Sequence, residues 1–284
     1  MAKGIALANI LDVLLMISIE IPTIGEKTLL NVLESVREQT FQDYEVVVCD
    51  SSAEGVGGDI AREFGAHVIR KKTRLLGARI LLHKEAKGDR ALLLDSTRTL
   101  HQNCLMMLSS FKEDMVVIAE KSIGNSIYAK AASLDMKLNL SEGNIRVSLE
   151  NLSGVVLPRF FDSSLLSSVI SRIEHRIGSD VENIIHGDHR MIFIEAMTEG
   201  ATVGVLRPEL IMRLEDKDLP FVIKKYFKYG LTARLASRYY PEKLRARFRD
   251  VRGLTNIQVA LLIYLYSLRA IPYSVGLLLS TIIP

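Results

Sequence analysis

An α/β fold, in which a mainly parallel sheet is flanked by helices and followed by a C-terminal helical tail, is predicted by three features of this 284-residue chain. Short β-branched or aliphatic runs alternate with segments whose apolar residues recur at helical spacing. The strand runs are apolar without alternation, as strands covered on both faces are. The last quarter changes character, turning basic and aromatic and then almost wholly aliphatic.

The first element lies in the apolar stretch 5–21. Asp12 interrupts this stretch and no small-residue cleavage site follows, so its second half, 13–19, reads as a buried strand rather than a signal sequence. A Pro22-Thr23-Ile24-Gly25-Glu26 turn leads to a helix over 27–39, with Leu29, Leu30, Leu33 and Val36 on one face. A strand at 44–49, a helix at 56–64, a strand at 67–69, a helix at 76–86 and a strand at 90–94 continue the alternation. Beyond these, the spacing predicts helices near 103–111, 126–137, 163–173 and 189–198, and strands near 115–119, 154–158 and 202–206. The natural division is an α/β domain over 1–210 and a tail over 211–284.

Composition narrows the class. Hydrophobic residues make up 48% of the chain and mean hydropathy is +0.20, which excludes a disordered chain and points to a membrane-facing surface. Two cysteines, Cys49 and Cys104, support neither a disulfide framework nor zinc spacing and suggest a reducing compartment. The net charge is only +3, but residues 211–284 hold 13 Lys/Arg against 5 Asp/Glu. The tail is therefore basic and the body acidic.

In open α/β sheets, ligands bind beyond the carboxyl ends of the strands. Three motifs fall at those ends: the Pro22 turn, Asp50-Ser51-Ser52, and Asp95-Ser96-Thr97. A carboxylate at Asp50 can accept hydrogen bonds from a nucleobase N–H, or it can cap its own turn. The basic loop Arg70-Lys71-Lys72-Thr73-Arg74, leading into Gly77-Ala78-Arg79 at a helix start, suits a diphosphate, or is simply a solvated loop. Asp188, at the start of the 189–198 helix, is a candidate general base or a helix N-cap, with Glu174, Asp180 and Glu182 as alternative bases. His186 and His189 stand too sparsely for a metal site and are left unassigned.

Together, the PTIGE turn, the strand ending in Asp50, the GAR segment, EAKGD and LLLDST resemble the nucleotide-sugar half of family 2 glycosyltransferases, which have the GT-A fold. The resemblance implies a nucleoside-diphosphate sugar donor, UDP- or GDP-linked, held by Pro22, Thr23, Glu26, Asp50, Ser51, Arg79, Asp95 and Ser96. It implies inverting transfer with Asp188 as base, and it places Asp95 at the first position of the family's metal-binding Asp-x-Asp motif. Thr97 replaces the second aspartate, Ile80 replaces an asparagine after Arg79, and Arg213 stands near where a late histidine would complete a metal shell. Three readings follow: a weakened Mg²⁺ or Mn²⁺ site on Asp95, a metal-free site in which Arg79, Arg98 or Arg213 neutralises the diphosphate, or a non-catalytic glycosyltransferase-like scaffold at the membrane. A nucleotidyltransferase would want a glycine-rich phosphate loop that PTIGEKT lacks.

Ten basic residues between 224 and 252, interleaved with tyrosine and phenylalanine, suit an anionic lipid surface and run straight into the aliphatic stretch 257–283. A nucleic-acid partner has no use for that stretch. Arg269 and Pro272 divide it, predicting two short interfacial helices rather than one span, with packing on the catalytic domain or a second subunit as the alternative. The expected location is the cytoplasmic face of the cell membrane, peripheral or monotopic, with a membrane lipid or lipid-linked glycan as acceptor.

Overall fold

The structure, a computed structural model, describes residues 15–141, 157–215, 218–241 and 251–282. The N-terminal part of the 5–21 stretch and most of the expected strand at 154–158 lie outside those residues. Strands β1 (Ile17–Thr23), β2 (Tyr44–Asp50), β3 (His67–Arg70) and β4 (Arg90–Leu93) are joined by helices α1 (Leu29–Arg37), α2 (Val56–Glu63) and α3 (Leu75–Glu85). β1 lies between β2 and β4, and β3 flanks β2, all parallel. Their carboxyl ends, Thr23, Asp50 and Asp95, therefore share one edge.

The second half widens the sheet with β5 (Arg98–Leu100), β6 (Met115–Ile123), β7 (Phe160–Asp162) and β8 (Val203–Leu214), giving the order β3-β2-β1-β4-β7-β6-β8-β5. β7 is antiparallel to both β4 and β6, β6 and β8 are parallel, and β5 is antiparallel to β8. β7, at Phe160–Asp162, is a strand the sequence did not predict. Phe160 and Phe161 point to opposite faces of the sheet, and both are fully buried. β8 runs four residues past 210, so the sheet closes inside the segment assigned to the tail.

Helices cover both faces. α1 and α4 (Cys104–Leu108) pack one side through Leu29, Leu33, Val36 and Leu105. The other side is covered by α3, α6 (Ser163–Ile177) and α7 (Asp188–Thr198), through Leu76, Ile80, Leu166, Ile173 and Ile192. Such two-sided burial explains why the strand sequences do not alternate.

The tail differs from expectation. The basic segment forms α8 (Leu219–Tyr239), and the aliphatic stretch forms one helix, α9 (Asn256–Leu279), started by a Thr255–Gln258 capping box. Two short helices are not formed. Arg269, the charge that argued for a break, donates to Asp135 Oδ2 at 3.3 Å and to the Tyr128 hydroxyl at 3.4 Å, both on α5 (Ile127–Ser141). Pro272, buried inside the helix, costs one backbone hydrogen bond, which the packing of α9 on α8 and α5 offsets. α9 is long and apolar enough to cross a membrane, and Ile257, Ile263, Ile271 and Leu278 on it are more than 60% exposed.

Candidate functional site

The sheet edge carries a closed set of alternating charges. Arg79, on the second turn of α3, is 1% exposed. Its Nη1 donates to the carbonyls of Glu20 (3.2 Å), inside β1, and of Leu94 (3.0 Å), just past the end of β4. Its Nη2 bonds Asp95 Oδ1, and its Nε reaches Asp188 Oδ2 at 3.2 Å. Gly77 lets this turn of α3 lie against Thr73 and the Glu182 backbone; a Cβ there would fall 2.3 Å from Thr73 Oγ1.

Asp95 also pairs with Arg98 Nη1, and with Arg159 Nη1 at 3.3 Å. Behind them, Glu120, 2% exposed, faces Arg98 Nε at 3.2 Å and takes the Nε bond of Arg159. Asp95, Arg98, Glu120 and Arg159 therefore form a ring of alternating charge, with Arg79 as the arm to Asp188. His189 Nε2 lies 3.3 Å from Arg79 Nη2 and 3.1 Å from Arg159 Nη1, so the ring nitrogen accepts from two guanidiniums.

These contacts set the charge states. Burial pushes the Asp95 carboxyl up, but Arg98, Arg79 and Arg159 outweigh it and hold it well below the usual range. Burial likewise opposes Glu120, yet Arg159 and Arg98 bring it down to about 2. For Asp188, burial is outweighed by His189 and Arg79, and its carboxyl also falls. Burial and the neighbouring Arg159 lower His189 to about 4, so it is neutral at pH 7.

The other expected contacts are occupied within the fold. Both oxygens of buried Asp50 accept backbone bonds, from Ser52 N and Gly58 N at 2.8 Å, which fixes the β2 turn and the start of α2. Glu26 accepts from Thr23 Oγ1 (2.8 Å) and Ile24 N (3.0 Å), shaping the turn after β1. Pro22 lies buried in β1, Ser51 donates to the Lys71 carbonyl at 2.8 Å, and the Ser96 carbonyl accepts from Thr28 Oγ1 at 2.7 Å. Asp188 is the first residue of α7 after Gly187 (φ 97°), and α7 has no side-chain cap, so the N-cap reading is replaced by the Arg79 pair. Glu174, Asp180 and Glu182 pair with Lys84, Tyr239 and Lys71 and do not join the ring. Arg213 pairs with Glu215 at 2.5 Å.

Residues 18–124 match the family model described as glycosyl transferase family 2. That segment, which runs from β1 to the end of β6, is similar to family 2 glycosyltransferases. The fold is similar to that of S. aureus TarS: residues 1–349 of that protein align at 16% identity and TM-score 0.53, covering 93% of this chain and 83% of that one. The UDP-GlcNAc complex of the same TarS segment aligns at 14% identity and TM-score 0.52, covering 89% and 81%. No curated protein matches this glycosyltransferase in sequence.

The family's divalent ion does not fit the residues of this glycosyltransferase. Thr97 stands at the second acidic position, both oxygens of Asp95 are held by guanidiniums, and among the described residues no three His, Cys, Asp or Glu side chains converge on an ion. Sequence reasoning missed Glu120 and Arg159 and left His189 unassigned. The legible signal for Glu120 was a carboxylate directly ending the apolar run of β6.

Proposed function

We propose that this glycosyltransferase moves a sugar from a UDP- or GDP-linked donor to a membrane-associated, lipid-linked acceptor with inversion, and that arginines neutralise the departing diphosphate. The observation that carries this reading is the trio of guanidiniums on Asp95, at the strand end where the family motif sits. Arg70, Lys71, Lys72 and Arg74 stand exposed on the loop leading into α3, which adds positive charge at the same edge. The TarS complexes with UDP and UDP-GlcNAc support the donor class.

In the transfer, an acceptor oxygen forms a bond to the anomeric carbon while the bond from that carbon to the diphosphate oxygen breaks. The electron pair leaves on the phosphate, where Arg98 and Arg159, released in part from Asp95, receive it. Ring partners Glu120 and Asp95 keep these guanidiniums charged and oriented before the substrate arrives. The second lone pairs of Asp50, with Pro22, Thr23, Glu26 and Ser51, line the base side, and Ser96 lies beside Asp95 at the phosphate side.

Asp188 is the group placed to take a proton, but its lowered carboxyl and its bond to Arg79 make it a weak base. An acceptor that is already an anion needs no base. A lipid phosphate meets that requirement and matches the basic α8 and apolar α9. The buried, unpaired Cys49 and Cys104 agree with the cytoplasmic leaflet.

The test is calorimetric titration with UDP and GDP, first with Mn²⁺ and then with EDTA. One nucleotide binds, with the same affinity in both. Loss of binding in EDTA would overturn the arginine assignment, and no binding of either nucleotide by the folded protein would overturn the donor reading.

A further inference from the structure

Helices α8 and α9 run in the same direction and meet most closely at Gly230 and Gly276. A Cβ on Gly230 would lie 2.0 Å from the Tyr273 carbonyl oxygen, and one on Gly276 would lie 2.2 Å from that of Phe227. Farther along, Arg234 Nη1 donates to the Ser280 carbonyl at 3.3 Å. Before the glycine contact, one side of the pair is filled by α5, whose Tyr128, Ala131 and Ala132 pack on Val222 and Leu265. The other side is an open groove of about 710 Å³, lined by Ile223, Phe227, Leu268, Ile271 and Val275, with Lys224 as its charged residue. That volume lies within the range of small-molecule sites.

We propose that this groove holds a hydrocarbon chain of a phosphate-bearing lipid, with Lys224 at the phosphate. Charge and polarity select that occupant. α8 carries Lys224, Lys225, Lys228, Arg234 and Arg238 and no acidic residue. α9 has a single charged residue, Arg269, and it is turned away into Asp135 and Tyr128. A lysine beside an apolar groove, on a helix without acidic residues, is the complement of an amphiphilic anion. α8 also touches the catalytic edge: Tyr229 stacks on His186 with ring centroids 4.4 Å apart, two residues before Asp188. A lipid seated along α8 thus has its head on the helix that borders the site. The assignment rests on the proposed transfer to a membrane acceptor and adds the place where that acceptor's chain sits.

The chain contains no tryptophan, so one introduced indole reports alone. Phe227→Trp, with Tyr264→Trp as a second reporter in the groove, is titrated with monododecyl phosphate below its micellar concentration. A saturable blue shift is expected in both, weakened about tenfold or more when Lys224→Glu is added. Ile263→Trp, 62% exposed and outside the groove, does not shift. Absence of a saturable shift in both groove reporters, an equal shift at Ile263→Trp, or a response to inorganic phosphate alone would overturn the proposal. So would a blue shift that grows with protein concentration in the absence of lipid, because a second copy or another apolar partner would then cover the groove. UDP and GDP titrations of the same proteins separate the two failures: nucleotide binding without alkyl phosphate binding removes only the groove, whereas the converse removes the transfer reading.

Discussion

Arg79 Nε and Asp188 Oδ2, from residues 109 positions apart in sequence, meet at 3.2 Å beneath the edge where β1, β2 and β4 end. The same guanidinium bonds Asp95 and the carbonyls of Glu20 in β1 and Leu94 after β4, so one side chain ties α3, α7 and the sheet together. Arg79→Ala would leave the buried Asp188 and the half-buried Asp95 short of a partner, a change that costs about 3–5 kcal/mol in comparable buried pairs. Urea denaturation should therefore show a large loss of stability, with transfer activity lost as well. Arg79→Lys keeps the charge but cannot span Asp95 and Asp188, so it should recover only part of the stability. A midpoint for Arg79→Ala equal to the wild-type value would mean that the network does not hold the fold.

Glu120 touches neither the strand-end motif nor an exposed surface, yet it positions Arg98 and Arg159. Its folded carboxyl, lowered to about 2, contributes stability that is present above the unfolded value and is lost as pH falls toward 2. Glu120→Gln should remove that part of the acid-side slope between about pH 4.5 and 2. It should also weaken nucleotide binding while Arg98 and Arg159 remain in the chain. An unchanged affinity in Glu120→Gln would remove it as a positioning residue.

His189 gives a separate window. Its folded value of about 4 lies below the ordinary 6.5, so between these values the unfolded chain binds more protons, and stability falls as pH drops from 6.5 toward 4. The slope is at most about 1.4 kcal/mol per pH unit for one such group. His189→Gln, which can still accept from Arg79 and Arg159, should flatten the dependence of the thermal midpoint across that window. An identical slope in both proteins would show that His189 titrates normally.

The strand-end aspartates, Arg79 and the first four strands were legible because local patterns carry them. β-branched runs, helical spacing and turn residues all act within about ten residues. The ring was not legible, because Glu120 and Arg159 come from β6 and from the residue preceding β7, and only the insertion of β7 between β4 and β6 brings them to Asp95. Asp50 was read both as a base-binding carboxylate and as the cap of its own turn, and its bonds from Ser52 N and Gly58 N match the second reading, which the sequence alone could not choose. The tail was misread for a similar reason. Arg269 breaks an aliphatic run only if it has no partner, and Asp135 and Tyr128 lie more than 130 residues away along the chain.

The contact between Gly230 and Gly276 should be separable from the catalytic edge. Gly276→Val places side-chain atoms where the Phe227 carbonyl now stands, 2.2 Å from a Cβ, so the helices must part or shift. Gly230 and Gly276 meet helix backbone and none of the charge-ring residues, and the link to the catalytic edge runs through the Tyr229–His186 stack, so nucleotide affinity should stay within about twofold. Flotation with vesicles of mixed phosphatidylcholine and phosphatidylglycerol should show weaker association, because α8 and α9 no longer present their basic and apolar faces together. Full association of Gly276→Val with such vesicles would show that α9 alone carries the membrane contact, and a parallel loss of nucleotide binding would show that the tail and the catalytic edge fold as one unit.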